Sequence, residues 1–169
     1  MLMLNQYRLG LMKSNYIQEV NIVSNKKNEI TDFIKYEREA AIHDLVSDNF
    51  IKIQNENFLS PFIMDLSLEN GMLGIKIIDN KEQVLNITKS ISGLKKIIQN
   101  YHLACSSYYD QIKNGSTENL QEVENLRRKI HNEGAKDLDL ILKNDLEMDI
   151  NTSRRLFTLL YSLFIWFQI

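Results

Sequence analysis

The sequence predicts an α+β fold: an antiparallel β-meander of three to five strands packed against about four helices, with the helices concentrated in the C-terminal half. Three observations carry this expectation. Residues Phe62 to Leu68 alternate between apolar and polar side chains and run into Asn70-Gly71, a strong two-residue hairpin signal. The stretches Leu94 to Ile112 and Leu120 to Ile141 repeat apolar residues at helical spacing. A last run, Leu156 to Phe167, is apolar around most of a helical circumference, as a helix needs to be when it is buried between other elements or meets a second copy in a homodimer.

Length and composition bound the rest. The 169 residues suit one domain, expected over 15–169, with 1–14 as an N-terminal extension expected to be disordered or loosely attached. Met12, followed by Lys13 and Ser14, offers a second start that would make the preceding residues an upstream addition. Apolar residues make up 44% and charged residues 25%, which is ordinary for a globular chain. A net charge of -2 argues against non-specific nucleic-acid binding, which needs surplus positive charge. The single cysteine, Cys105, excludes an internal disulfide and fits a reducing, cytoplasmic location. The most apolar run, of 12 residues from Leu156 to Phe167, falls short of the roughly 20 a bilayer requires, so no membrane span is expected.

Taken in order, Tyr16 to Val23 is β-branched enough for a short strand, and Ser24 to Asn28 reads as a polar turn. Thr31 or Asp32 can cap a helix whose apolar face is Phe33, Ile34, Ala41, Ile42, Leu45 and Val46. Asp48 and Asn49 end it, and Phe50 to Gln54 is a second strand candidate. The hairpin of Phe62–Leu68 and Leu73–Ile77 continues through a turn at Asp79–Glu82 into a strand at Val84–Thr88. Next, Leu94, Ile98, Tyr101, Cys105, Tyr108 and Ile112 form one narrow helical stripe. Cys105 within it reads as a buried space-filling thiol rather than a nucleophile, because no neighbouring residue is placed to lower its pKa. Asn114-Gly115 closes this helix, and Ser116 or Thr117 can cap the next.

That next helix, from about Glu118 to Leu142, buries Leu120, Val123, Leu126, Ile130, Gly134, Leu138 and Ile141 on one face. Gly134 costs about 1 kcal/mol relative to alanine inside a helix, so either another backbone passes close to it or the helix breaks there. Arg127 and His131 lie one turn apart at the stripe's edge, with Glu124 and Arg128 just beyond. Glu133 lies on the opposite margin and cannot readily meet His131 within the same helix. Asn151 is placed to cap the last helix, whose buried side is Leu156, Leu160, Leu163 and Phe167. Arg155 sits beside that side and Arg154 points away from it.

The chain favours lysine, asparagine and isoleucine, and beyond Arg8 its arginines are Arg38 and the pairs Arg127-Arg128 and Arg154-Arg155. Under a composition that favours lysine, an arginine that remains marks a place where a planar multi-donor fork is useful. Around these residues the chain resembles uncharacterised protein family 0262, a small and mostly alphaproteobacterial family. The resemblance runs from about Tyr16 to Phe164. It is carried by Glu37-Arg38 with Ala41-Ile42 and Asp44-Leu45, by Cys105 with Ser107-Tyr108-Tyr109, by His131-Asn132-Glu133-Gly134, by Met148-Asp149, and by Arg154 to Leu159. The chain departs from the pattern at Asn151, where an aspartate is usual, and in its very apolar last residues. The resemblance implies a shared fold and site but no named activity.

Three roles fit the polar set. In a structural role, Arg38, Arg127 and Arg155 pair with Glu37, Glu124, Asp44 or Asp149 and lock the helices together. In a binding role, Arg127, Arg128, Arg154 and Arg155, with Arg38, hold the carboxylate or phosphate of a small anionic ligand or a protein partner. In an enzymatic role, His131 is the acid or base, oriented by Glu133 or by Glu37 from another helix. The structural role ranks first because ion-pair networks also place charges at partly buried edges. No cofactor is called for, and no His-x-x-x-His or clustered carboxylates suggest a metal. The discriminating observation is an open pocket holding His131 and at least two arginines unpaired with protein carboxylates.

Overall fold

The structure, a computed structural model, describes residues 14–23 and 30–168, the side chains of 166–168 excepted. The extension expected over 1–14 lies, up to residue 13, outside the described residues, as do the Ser24–Asn28 turn and the side chains of Trp166 and Phe167. The elements are β1 (Ile17–Ile22), α1 (Asp32–Ser47), β2 (Ile51–Ile53), β3 (Phe62–Glu69), β4 (Met72–Ile78), β5 (Val84–Ser90), α2 (Lys95–Lys113), α3 (Leu120–Leu142), β6 (Leu146–Met148) and α4 (Ile150–Gln168).

The meander forms as its sequence requires. Asn70 and Gly71 take the φ values of 50° and 74° that a tight hairpin needs, so Glu69 faces Met72 and the ladder runs on to Ile63 opposite Ile78. β5 adds antiparallel to β4, from Ile78 opposite Val84 to Met72 opposite Ser90. The turn between them is held by Asp79, whose carboxylate accepts the backbone N–H groups of Leu59, Lys81 and Gln83. Burial pushes the Asp79 carboxyl up, but these donors and the Gln83 side chain outweigh it and hold it below the usual range.

The sheet is mixed rather than purely antiparallel. Its order is β1-β3-β4-β5, and β1 lies parallel to β3, with Ile17 opposite Phe62 and Ile22 opposite Leu66. Parallel neighbours need a long crossover, which α1 and β2 supply. A register shift between Ile17 and Glu19 lets Ile17 and Val20, three residues apart, both be buried. The second strand candidate joins another sheet, in which β2 pairs antiparallel with β6.

The buried face of β3, Phe62, Met64, Leu66 and Leu68, meets α4. That helix is the centre of the fold, with α1, α2 and α3 packed around it. From Leu156 to Ile165 every residue of α4 is buried, so burial between other elements is what its apolar circumference serves over that span. Its cap is Asp149, not Asn151: the helix begins one residue before Asn151, and Asp149 Oδ1 accepts the Thr152 N–H at 2.8 Å. Neither Thr31, Ser116 nor Thr117 caps through its side chain; α1 follows Thr31 with no such bond, and α3 follows Asn119 at φ 61°.

α3 runs unbroken through Gly134, and the neighbour that needs the space is the Phe157 ring of α4 rather than a backbone. A Cβ at residue 134 would stand 2.3 Å from Phe157 Cζ, and that ring is fully buried against Tyr101 and His131. Gly134→Ala should therefore cost about 1 kcal/mol net, about 2 kcal/mol of overpacking less about 1 kcal/mol of helix propensity. Thermal denaturation checks this, and a variant more stable than the parent would mean that the ring yields freely.

Candidate functional site

Three helices build one polar cleft. α1 contributes Glu37, Ala40, Ala41 and Asp44; α4 contributes Asn151, Arg154, Arg155 and Thr158; α3 contributes His131. Each set of four follows the spacing i, i+3, i+4, i+7, so each is one continuous helical face. The two alanines on α1 leave the room between these faces, a cleft of about 280 Å³. That volume sits at the lower end for small-molecule sites.

His131 is held by α4. Its Nε2 lies 3.0 Å from the Arg154 carbonyl oxygen and 2.9 Å from Thr158 Oγ1, and Thr158 also donates to the Arg154 carbonyl. A carbonyl only accepts, so Nε2 carries the proton and Nδ1 is left with a free lone pair. The ring stacks on Tyr101 at a centroid distance of 5.1 Å and an angle of 15°. Burial lowers its pKa to about 4, the Arg154 and Arg127 charges act in the same direction, and the bond to the Arg154 carbonyl opposes them. His131 is therefore neutral near pH 7.

The guanidiniums divide into two groups. Arg127 grips Glu124 through Nε at 2.8 Å and Nη2 at 3.1 Å, reaches the Tyr101 hydroxyl at 3.4 Å, and lies 5.0 Å from the centroid of the Tyr108 ring. Arg128 is exposed and donates to the same Glu124 at 2.8 Å. The Arg127 bond chiefly holds the Glu124 carboxyl below its usual range against the effect of burial. Arg38 ties α1 to α4 by donating to Ser162 Oγ and to the Ser162 carbonyl, both at 3.0 Å. None of these three lines the cleft.

Arg154 and Arg155 do. The Arg155 guanidinium donates to the Asp48 carbonyl at the end of α1 and meets no described carboxylate. The Arg154 guanidinium makes no hydrogen bond or ion pair among the described residues; only its backbone is engaged. On the opposite wall, Glu37 Oε1 accepts the Tyr109 O–H, and exposed Asp44 lies 3.3 Å from His43 Nδ1. Two guanidiniums and two carboxylates thus face one cleft without pairing to each other.

Glu133, proposed from sequence as an orienting partner, is exposed and does not line the cleft. Glu37 does line it, although the group that orients His131 is the Arg154 carbonyl. Asp149 caps α4 and Gly134 admits Phe157. Cys105 is fully buried, and burial pushes its thiol up to about 11. Sequence reasoning missed Ala40, Ala41, Asn151 and Thr158 as lining residues, having placed Ala41 on the apolar face of its helix. Their signal was present as matching helical faces, but it gains meaning only once α1 and α4 are known to be neighbours. Among the described residues no group of three or more His, Cys, Asp or Glu could hold a metal, and no helix is long and apolar enough to cross a membrane.

The chain is similar to proteins of several alphaproteobacteria. A UPF0262 protein of Azorhizobium caulinodans is 35% identical over 132 residues, covering 77% of this chain and 82% of the relative. A UPF0262 protein of Mesorhizobium japonicum is 32% identical over 130 residues, covering 76% and 81%. A UPF0262 protein of Brucella canis is 32% identical over the same lengths. No solved structure matches. The model of an uncharacterised protein family (UPF0262) matches residues 14–166, and with relatives of this identity and coverage the chain belongs to that family.

Proposed function

We propose that this protein is a binding module for a small ligand carrying a carboxylate or phosphate, held in the cleft between α1 and α4. The observation that supports this reading is the Arg154 guanidinium, which lines the cleft without a described partner, beside an Arg155 whose partner among the described residues is a backbone carbonyl. A planar fork left open in a concave site suits a bidentate anionic group. Arg38, Arg127 and Arg128 keep the helices together and are not assigned to the ligand. His131 acts in this reading as a neutral hydrogen-bonding wall. With a pKa of about 4 it is a poor match for proton transfer near pH 7, which favours binding over catalysis.

A thermal-shift screen of carboxylic acids, amino acids and phosphate esters tests the proposal. A ligand at a hundred times its Kd adds about 2.7 kcal/mol, a rise of about 5–10 °C for a chain of this size. Arg154→Gln should abolish that rise and leave the unliganded melting temperature within about 2 °C, because the side chain makes no described bond. If no compound of any class shifts the parent protein, the reading fails.

A further inference from the structure

The charges around the cleft say more than that an anion fits. Formally they sum to zero: Glu37 and Asp44 on the α1 wall against Arg154 and Arg155 on the α4 wall, with His131 neutral between them. No ion pair closes across the gap, and the spare oxygens Glu37 Oε2 and Asp44 Oδ2 have no hydrogen-bond partner among the described residues. Charges of opposite sign that share a small cleft and stay apart leave a field running from one wall to the other. A ligand with only a negative group would be attracted to the guanidiniums and repelled by the carboxylates. One with a negative group and a cationic nitrogen would be favoured by both walls. The α1 wall offers acceptors and no donor side chain.

We propose, resting on the binding reading above, that the ligand is dipolar, an amino acid or similar zwitterion whose acidic group meets Arg154 and Arg155 and whose ammonium meets Glu37 and Asp44. Ala40 and Ala41 set its size. A cleft of about 280 Å³ matches the size of a compact zwitterion.

The test is a titration series with the full chain, followed by isothermal calorimetry. The probes are ω-amino acids from glycine to 6-aminohexanoate, the equivalent carboxylates from acetate to hexanoate, and the equivalent primary amines. The expected result is one optimal amino-acid length that binds at least ten-fold tighter than the carboxylate of the same length. The double variant Glu37→Gln, Asp44→Asn should remove that preference while carboxylate binding is unchanged or improved. The amide introduced by Glu37→Gln keeps an acceptor for the Tyr109 hydroxyl, so the fold is not put at risk. Ala40→Leu fills the cleft without changing its charge and should abolish binding of every probe. If carboxylates bind as tightly as amino acids and Arg154→Gln removes both, the dipolar ligand is overturned and the anion-binding reading stands. If amines alone bind, or if binding survives Ala40→Leu, both are overturned.

Discussion

Replacing Asn49 by aspartate should lower stability by about 3–5 kcal/mol, the cost of a buried charge without its partner. Asn49 is nearly inaccessible where α1 ends. Its Oδ1 accepts the Ile17 N–H at 2.8 Å, while its Nδ2 donates to the Ile17 carbonyl at 2.9 Å and the Leu45 carbonyl at 2.7 Å. One amide therefore joins the first strand to the last turn of α1 and satisfies three buried backbone groups. Aspartate keeps the shape and the bond from Ile17 but turns a carboxylate oxygen towards two carbonyls. Desolvation and these oxygens would raise the new carboxyl's folded pKa above its unfolded value, so the loss is full at neutral pH and shrinks as acid protonates it. Melting temperatures of parent and variant across pH 4–8 provide the check. A gap that stays constant over that range would show that the carboxylate does not sit among those carbonyls.

The second large effect is acid destabilisation through His131. In the folded chain its pKa is lowered from 6.5 to about 4. Above pH 6.5 both states are neutral at this residue and nothing is lost. Between about 6.5 and about 4 the unfolded chain binds a proton that the folded chain does not, so stability falls as the pH falls. The full loss is about 3 kcal/mol at the acid end of that window. His102, also lowered by burial and bonded to the Tyr161 hydroxyl at 2.9 Å, contributes in the same direction. His131→Gln retains a donor for the Arg154 carbonyl and should flatten most of the slope between pH 6.5 and 4. An unchanged slope would mean that His131 titrates normally in the folded protein.

Much of the fold could be read from residue order, where the cause is local. Asn70-Gly71 dictated the hairpin because few other pairs take two positive φ angles cheaply. The alternation through β3 and the stripe of α2 declared which side chains are buried, with the exceptions of Tyr108, which is half-buried, and Ile112, which emerges at the exposed end of α2. The parallel partner of β1 was not legible, since period-two patterning is the same for parallel and antiparallel neighbours and α1 separates the two strands. Gly134 announced a close approach without identifying the Phe157 ring, which belongs to another helix.

The candidate site divides in the same way. Sequence alone determined which residues could act: the Arg154-Arg155 pair, His131 at a helix edge, and Glu37 and Asp44 two turns apart on one face. It could not say that Arg127 and Arg128 are occupied by Glu124 one turn away while the Arg154 guanidinium has no described partner. Helical periodicity fixes the face a side chain occupies, because that depends only on 100° per residue. Which face it meets depends on how α1, α3 and α4 pack, and that is set by burial summed over the whole core, including the space Gly134 leaves for Phe157. The cleft is accordingly a property of tertiary packing, assembled from three segments each of which was recognisable beforehand.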